Sequence, residues 1–394
     1  MNRNIRLVCL ITLLRDFGTF IISPFVILYL RSLGISIVSI GMLYGLLGAL
    51  DIIFSLPIGH LSDRWGRKPW IVLSSLFAIL TYGLFITSES VPQFVLVFVL
   101  WNLADLAWQY SVPMYLNDIV ENTGRGDALA KMGMMTTIAS VVAPAPAGFL
   151  ADTHGITPLF GVALIFEIVL IGVVVYWIHS GLPEIRESLE EESVEDRKNL
   201  FFRVRTLFGY LRGNIFYFAI AMMVMSFGWA VLEIVTPLFL REELGISYLG
   251  FGVVMSAIGI IGAVAKLAAG RFTDIHGRLS TLLYSTLFAG ICMTAVGFVT
   301  SELQFVLTRG TGSIFGAVMW LVWMASFHDI IKRKRATISA FIDTLSGGTY
   351  ALGSFLAGFL VSIVTARRCF FFIGVIYIFT AFIFSRIRSG KGIA

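Results

Sequence analysis

Three acidic side chains lie deep within long apolar stretches of the sequence: Asp16, Asp105 and Glu233. A charge at the centre of a membrane helix costs about 2.5–3.5 kcal/mol on insertion scales, so it persists only where it faces a cavity or a partner. An acid in an apolar cavity can take up and release a proton when its exposure changes. We therefore predict that these acids bind protons or substrate. The alternative is a set of salt bridges with Arg15 or Arg309 that only hold helices together.

Polar and aromatic residues accompany each acid at helical spacing. Around the first acid, four residues separated by 4, 3 and 4 positions share one helix face: Thr12, Asp16, Thr19 and Ser23. Comparable stripes in three later stretches hold tryptophans, which can stack on a flat or cationic substrate or anchor a helix at the membrane interface. The nine residues predicted to line a substrate and proton cavity are Arg15, Asp16, Trp101, Asp105, Trp108, Trp229, Glu233, Arg309 and Trp320.

Two short charged segments with glycines interrupt the apolar sequence, "GHLSDRWGRKPW" at 59–70 and "GRFTDIHGR" at 270–278. Glycine permits a tight turn between helices, and a carboxylate near a helix N-terminus is favoured by the helix dipole. We predict matched hinges that form a gate, although the charges can also serve only to orient the chain. The predicted gate residues are Gly59, Asp63, Arg64, Gly66, Arg67, Lys68, Asp118, Gly270, Asp274, Gly277, Arg278 and Asp329.

The composition requires a membrane around these residues. Of the 394 residues, 57% are hydrophobic and 13% are charged, whereas a soluble protein carries about 25% charged residues. The net charge of +5 is small and falls mostly in short loops, which disfavours nucleic-acid binding. The three cysteines are scattered, which fits neither a disulfide framework nor a metal site. The sequence gives no reason to expect a cofactor.

Apolar stretches of about 20 residues are long enough to cross a bilayer as helices and too long for barrel strands. Twelve such stretches predict an all-α membrane protein, and they lie near 5–30, 38–60, 70–88, 93–117, 128–151, 157–179, 214–240, 249–270, 280–300, 304–329, 337–363 and 369–385. Lysine and arginine concentrate in alternate loops, which predicts that both termini are cytoplasmic. We expect a multi-pass protein of the cell membrane.

The sequence repeats itself at an offset of 211 positions. "LGIS" at 33–36 returns at 244–247, and the same offset relates the glycines and aspartates of the two hinges. A constant offset over several helices indicates duplication. We predict two six-helix bundles, 1–179 and 213–394, joined by a cytoplasmic linker at 180–212 that is charged and then amphipathic.

The first hinge resembles the pattern G-x-x-x-D-R-x-G-R-K of the major facilitator superfamily, and the second hinge lies where that family has its second copy. The resemblance implies a secondary transporter that works by alternating access. It also implies a cytoplasmic latch in which Asp63 and Arg67 contact each other, Asp118 and the start of span eleven. In the family, spans one, four, seven and ten line the central cavity, and these are the spans that carry the predicted lining residues.

The direction of transport is less constrained by the residues. "ASVVAPAPAGFL" in span five is similar to the family's antiporter motif with alanines in place of two glycines, but span four lacks the antiporters' arginine. The sequence favours a monomeric, proton-coupled exporter of small organic compounds. The alternative is a proton-coupled uptake symporter for a metabolite or sugar, which the scarcity of Asn and Gln in the spans disfavours. No motif of a membrane enzyme or an ATPase accompanies these features, so we expect no catalytic activity.

Overall fold

The computed structural model describes the backbone of residues 3–120, 124–177, 212–330 and 335–387. Within these ranges all regular secondary structure is helical. Nearly all of the predicted linker at 180–212 lies outside the described residues, so its surface helix stays a prediction. The helices begin and end close to the predicted spans because each apolar stretch is bounded by Gly, Ser or charged residues.

The described residues of the first half of the chain form eight helical segments. They are α1 (Arg3–Ile22), α2 (Val26–Ser32), α3 (Ile37–Trp65), α4 (Arg67–Thr87), α5 (Val91–Ile119), α6 (Arg125–Val142), α7 (Pro144–His154) and α8 (Thr157–Trp177). A 3₁₀ turn at Ser23–Phe25 separates α1 from α2, and Pro144 opens α7. Both interruptions contain a proline, which lacks the amide proton that a continuous helix would need. Spans one and five are therefore each built from two helical segments.

In the described part of the second half there are six α-helices. They are α9 (Asn214–Leu238), α10 (Tyr248–His276), α11 (Arg278–Val296), α12 (Glu302–Ile330), α13 (Arg335–Ile363) and α14 (Ala366–Ser385). A π-helical turn, Phe239–Glu243, extends α9. In the described part of the chain, 11 helical stretches are long and apolar enough to cross a membrane. The first predicted span lies outside that set because α1 carries Arg3, Arg6, Arg15 and Asp16; with it, the helices account for the twelve predicted spans.

The contacts divide the chain into two compact units. Unit 1 comprises Met1–Ile35, Ala49–Lys198 and Ser247–Ser256, and unit 2 comprises Ser36–Gly48, Asn199–Ile246 and Ala257–Ala394. Within unit 1, α1 packs on α6 and α8, and α4 packs on α5 and α8. Within unit 2, α9 packs on α13 and α14, and α11 packs on α12 and α14. Each unit thus uses the same helix pairs, although the predicted boundary between two bundles at 180–212 stays a prediction.

The turns repeat the offset that the sequence shows. Gly34 and Gly245 have φ of 78° and 67°, and Gly66 and Gly277 have φ of 89° and 78°. The last two also share extended ψ values of 161° and 152°. This region of backbone space is open essentially to glycine alone. Conservation of such geometry over 211 positions is what a duplicated chain would produce.

The aromatic core repeats as well. In unit 1 the Tyr29 ring lies 6.4 Å from Phe94 and 4.8 Å from Phe160. In unit 2, at offsets of 210 and 211 positions, three phenylalanines form the same cluster: Phe239, Phe305 and Phe370, with centroid distances of 5.9 and 5.1 Å from Phe239. Edge-to-face aromatic pairs at such distances stabilise packing beyond simple burial. These clusters fix the helices that carry the polar residues described next.

Candidate functional site

The Arg15 guanidinium joins three helices of unit 1. Its Nη2 lies 2.9 Å from Asp105 Oδ1 on α5, and its Nη1 lies 2.7 Å from Glu167 Oε1 on α8. Arg15 itself is only 2% exposed. A cation buried this deeply needs both a counter-charge and hydrogen-bond acceptors. The fork geometry of arginine supplies one N–H to each carboxyl group.

The two carboxyl groups that bind Arg15 differ in accessibility. The Asp105 side chain is 51% exposed, whereas that of Glu167 is 0% exposed. Trp101 hydrogen-bonds to Asp105, and the Arg15 Cζ lies 5.6 Å from the centroid of the Trp108 ring. The structure therefore brings together Arg15, Trp101, Asp105 and Trp108, as the sequence predicts. Trp101 is itself buried, where its ring also packs against neighbouring phenylalanines.

Sequence analysis missed Glu167. It lies in the middle of α8, whose span has the highest mean hydropathy of the described helices, 2.7. A lone acid in so apolar a helix is the signal that would have identified it. Its partner on α1 is 152 positions away, so no local pattern announces the pair.

Two further acids lie in the interior of unit 1. Asp16 accepts a hydrogen bond from Thr136 on α6, and Asp51 Oδ1 accepts one from Asn102 Nδ2 at 2.6 Å. Both acids are electrostatically close to Asp105. Among the described residues inside these helices, one guanidinium therefore lies among four carboxyl groups: Asp16, Asp51, Asp105 and Glu167. Such an excess of acids can bind protons or an organic cation.

Unit 2 places its acid against a phenol. The Tyr350 hydroxyl on α13 donates to Glu233 Oε2 at 2.6 Å, and Tyr44 lies nearby. Trp229, one turn before Glu233 on α9, is 52% exposed although its neighbours Gly228 and Ala230 are buried. The predicted pair of Trp229 and Glu233 thus shares one accessible helix face.

Arg309 and Trp320 lie elsewhere on α12. In the described part of the chain no ion pair or hydrogen bond is recorded for the Arg309 guanidinium, which has Tyr377 and Cys292 as its electrostatic neighbours. The ring of Trp320, 49% exposed, meets that of Trp323 edge to face at 4.6 Å. Ser313, one helical turn after Arg309, donates a hydrogen bond to the Ile258 carbonyl of α10. Part of this polar helix face therefore serves helix packing rather than a cavity.

The first hinge brings two of the predicted gate residues together. Arg67 Nε lies 3.5 Å from Asp118 Oδ2, and Arg67 Nη1 donates to Ser62 Oγ at 3.1 Å. Gly66 forms the positive-φ turn, and Lys68 Nζ donates to the Val175 carbonyl. Gly59 lies within α3, and Arg64 is exposed at its end. The side chain of Asp63 lies outside the described residues, so its contact with Arg67 stays a prediction.

The second hinge is described only in part. Gly277 forms the turn between α10 and α11, and Arg278 begins α11 at the surface. Gly270 and Asp274 lie on α10 and Asp329 lies on α12, but nothing of their side chains is described. Throughout the described residues, no group of three His, Cys, Asp or Glu is placed to hold a metal ion.

Comparison with known proteins shows the family of this chain. The sequence matches the Major Facilitator Superfamily over residues 8–227 and 218–391. The chain belongs to the Major Facilitator Superfamily. It is therefore a multi-pass membrane transporter with the twelve-helix fold of that family.

Several relatives in the Major Facilitator Superfamily are named for drug resistance. The chain is 23% identical over 291 residues to Multidrug resistance protein 1 of Bacillus subtilis, covering 73% of this chain and 72% of that protein. It is 22% identical over 375 residues to a multi-drug resistance efflux pump PmrA homolog of Lactococcus lactis, covering 92% and 90%. A drug-efflux type of transporter is consistent with both.

Solved structures of other family members share the fold. The nucleoside transporter NupG matches with a TM-score of 0.78 at 14% identity, covering 98% of this chain and 99% of that one. A D-xylose-proton symporter matches with a TM-score of 0.76 at 16% identity, covering 99% and 98%. At these identities the likeness concerns the fold alone.

Proposed function

We propose that this protein is a proton-coupled exporter of small organic compounds. The observation that carries the proposal is the Arg15 network, in which one cation joins an accessible carboxyl group to a buried one. Ionisable groups paired inside membrane spans are typical of proton relays and substrate pathways. The efflux pump homolog of Lactococcus lactis supports the outward direction.

Asp105 is the residue at which an organic cation would bind. Its side chain is half exposed. It accepts hydrogen bonds from Trp101 on the same helix and from Arg15 on α1. An organic cation that neutralises Asp105 weakens its hold on Arg15, because the guanidinium loses its counter-charge. Cation binding therefore favours release of a proton from the Arg15 network, which is the requirement for exchange across a membrane.

The Arg67 and Asp118 pair suits a cytoplasmic gate. Its atoms are 3.5 Å apart and the Asp118 side chain is 40% exposed. Hydrated ion pairs contribute about 0–1 kcal/mol, so such a pair can form and break in every transport cycle without a large barrier.

We also propose that the protein works as a monomer and that both of its termini are cytoplasmic.

Export is preferred to sugar uptake because of the polar groups available in the spans. The Asn102 amide already binds Asp51, and the nine residues predicted to line the cavity are acids, arginines and tryptophans. Sugar sites need neutral donors and acceptors that pair with hydroxyl groups. Proton-coupled sugar uptake is therefore the alternative function that the following transport experiment tests.

The proposal is tested by reconstitution in liposomes with ethidium and radiolabelled xylose as probes. An acidic interior is expected to drive ethidium accumulation, because outward proton flow exchanges for the inward cation. Asp105→Asn should abolish the gradient-driven part, whereas Asp127→Asn, an exposed acid paired with Lys131, should retain it. Xylose accumulation driven by an acidic exterior would refute proton-coupled export, and an unchanged Asp105→Asn variant would refute the role of Asp105.

A further inference from the structure

The buried acid Glu167 has no role in the proposed exchange at Asp105, yet it occupies the other end of the Arg15 fork. Glu167 Oε1 accepts from Arg15 Nη1 at 2.7 Å. The other oxygen, Oε2, is buried and makes no hydrogen bond of good geometry, and the equally buried Ser75 hydroxyl on α4 lies beside the carboxyl group as a potential partner. A buried carboxyl oxygen that is so poorly paired calls for a functional or chemical explanation.

The charges of the groups that bind Arg15 directly decide which form of Glu167 the site favours, since Asp16 and Asp51 interact with Asp105 rather than with Glu167. The ionisable groups that face Glu167 from neighbouring helices are Arg15 on α1, Tyr82 on α4 and Asp105 on α5. If both acids were ionised, the cluster would carry a net negative charge with its innermost carboxylate fully buried, which is strongly unfavourable. With Glu167 protonated, Arg15 and Asp105 form a neutral pair. Either form can hydrogen-bond Ser75, so the charge balance is the distinguishing argument.

We propose that Glu167 is the proton-carrying group of unit 1, and that Arg15 links release of its proton to neutralisation of Asp105. The proposal deepens the proposed export function, on which it rests, by naming the group that holds the proton. Arg15 is the positioning residue, because it contacts both carboxyl groups at once.

The step conserves charge and atoms. In the resting state Arg15 is cationic, Asp105 is ionised and Glu167 is a neutral acid. When an organic cation binds the Asp105 carboxylate, Arg15 loses its counter-ion. The Oε2–H bond of Glu167 then breaks, its electron pair stays on the carboxylate, and the proton passes to water. The local charge is the same before and after, so one cation is exchanged for one proton.

The difference in accessibility assigns the two roles. Asp105 can meet a ligand because half of its side chain is exposed, whereas Glu167 is enclosed and can meet only a proton. A buried acid also remains protonated until the adjacent cation loses its other counter-charge. Two acids with one role each avoid direct competition for the same oxygen atoms.

The test is infrared difference spectroscopy of the purified full-length protein at pH 7, which reports protonated carboxyl groups without any substrate. Wild type minus Glu167→Gln should contain the carbonyl stretch of one protonated acid. Asp105→Asn mimics a neutralised Asp105, so Glu167 should be ionised in that background. The spectrum of Asp105→Asn minus that of Asp105→Asn/Glu167→Gln should therefore lack the protonated carbonyl band and contain a carboxylate band.

Matched variants distinguish a change in the protonation of Glu167 from a general effect of substitution on folding. Asp105→Glu retains the counter-charge and should keep Glu167 protonated, and Asp127→Asn should behave as wild type. Absence of the carbonyl band in the wild-type difference would overturn the protonated Glu167. Its persistence in the Asp105→Asn background would overturn the link through Arg15. Because this readout involves no transport, failure of export in liposomes and failure of the proton switch are separate results.

Discussion

At Arg15 a single side chain satisfies two carboxyl groups from helices far apart in the sequence. Breaking one partner of a buried ion pair commonly costs about 3–5 kcal/mol, because the remaining charge stays buried without compensation. Removing both sides of a pair with groups of similar size is much less costly. The residues of this network are therefore expected to behave as a unit rather than independently.

Arg15→Met is expected to lower the thermal unfolding midpoint in detergent by several degrees, because Asp105 loses its cation. The triple variant Arg15→Met/Asp105→Asn/Glu167→Gln should recover much of this loss. The measurement is tryptophan fluorescence during heating. Lys131→Met, which removes an exposed pair with Asp127, is the control and should change the midpoint little. Additive losses in the triple variant would contradict a coupled network.

A second residue-scale prediction concerns the gate pair. Asp118→Asn should slow transport while changing the free energy of unfolding by less than about 1 kcal/mol, since the pair with Arg67 is partly hydrated. Transport rates in liposomes and unfolding midpoints are measured on the same preparation. The exchanged variant Arg67→Asp/Asp118→Arg should restore part of the rate. Slow transport that the exchange leaves unimproved would argue against an ion-pair gate.

At the scale of helices and turns, the hinges depend on backbone geometry rather than on side-chain contacts. Gly66 and Gly277 adopt φ near 89° and 78° with extended ψ, and no atom lies within 4 Å of an added Cβ at either position. The need for glycine is therefore conformational. The close contact of α7 with α10 is different, because there a side chain would meet the neighbouring backbone.

Gly66→Ala and Gly277→Ala are each expected to destabilise the protein by about 1–3 kcal/mol, the strain of this backbone region for a residue with Cβ. The unfolding midpoint in detergent reports the loss. Gly83→Ala, within α4 and also without neighbours within 4 Å, is the matched control and should be neutral or stabilising. Equal effects at all three positions would contradict the conformational argument.

Gly252→Ala tests the close approach of α10 to α7 within unit 1. An added Cβ would overlap the Pro144 carbonyl oxygen, which belongs to the backbone and cannot rotate away. Overpacking of this kind costs about 1–3 kcal/mol, so the unfolding midpoint should fall. Gly161→Ala on α8, where the Cβ meets nothing within 4 Å, should leave the midpoint unchanged or raise it. An unchanged unfolding midpoint for Gly252→Ala would show that the two helices can move apart without loss of stability.

At the scale of the whole molecule, orientation in the membrane follows from the distribution of lysine and arginine. The predicted topology places Glu89 outside the cell and Asp127 in the cytoplasm, and both residues are exposed. In a background without Cys9, Cys292 and Cys369, a membrane-impermeant thiol reagent should label Glu89→Cys in intact cells. Asp127→Cys should react only after the cells are permeabilised. The opposite labelling pattern would show that the chain is inserted in the reverse orientation, which would also reverse the direction of the proposed transport.

The sequence indicates candidate site residues because charged residues are conspicuous within apolar membrane spans. Asp16, Asp105 and Glu233 stand out against apolar neighbours, and the offset of 211 exposes the second hinge. It could not assign partners, since Arg15 was adjacent to Asp16 in the chain but binds Asp105 and Glu167 in space. Ser313 likewise shared a polar stripe with Arg309, yet its hydroxyl contacts a neighbouring helix.

The sequence by itself determined the number of spans, the repeat and the family, because hydrophobic length and turn residues act locally along the chain. The tertiary structure decided which charges meet, since helix packing sets distances between positions as far apart as 152 residues. It also decided that Asp105 is accessible and Glu167 is enclosed. Accessibility depends on every helix around a side chain, and that information is absent from any single stretch of sequence.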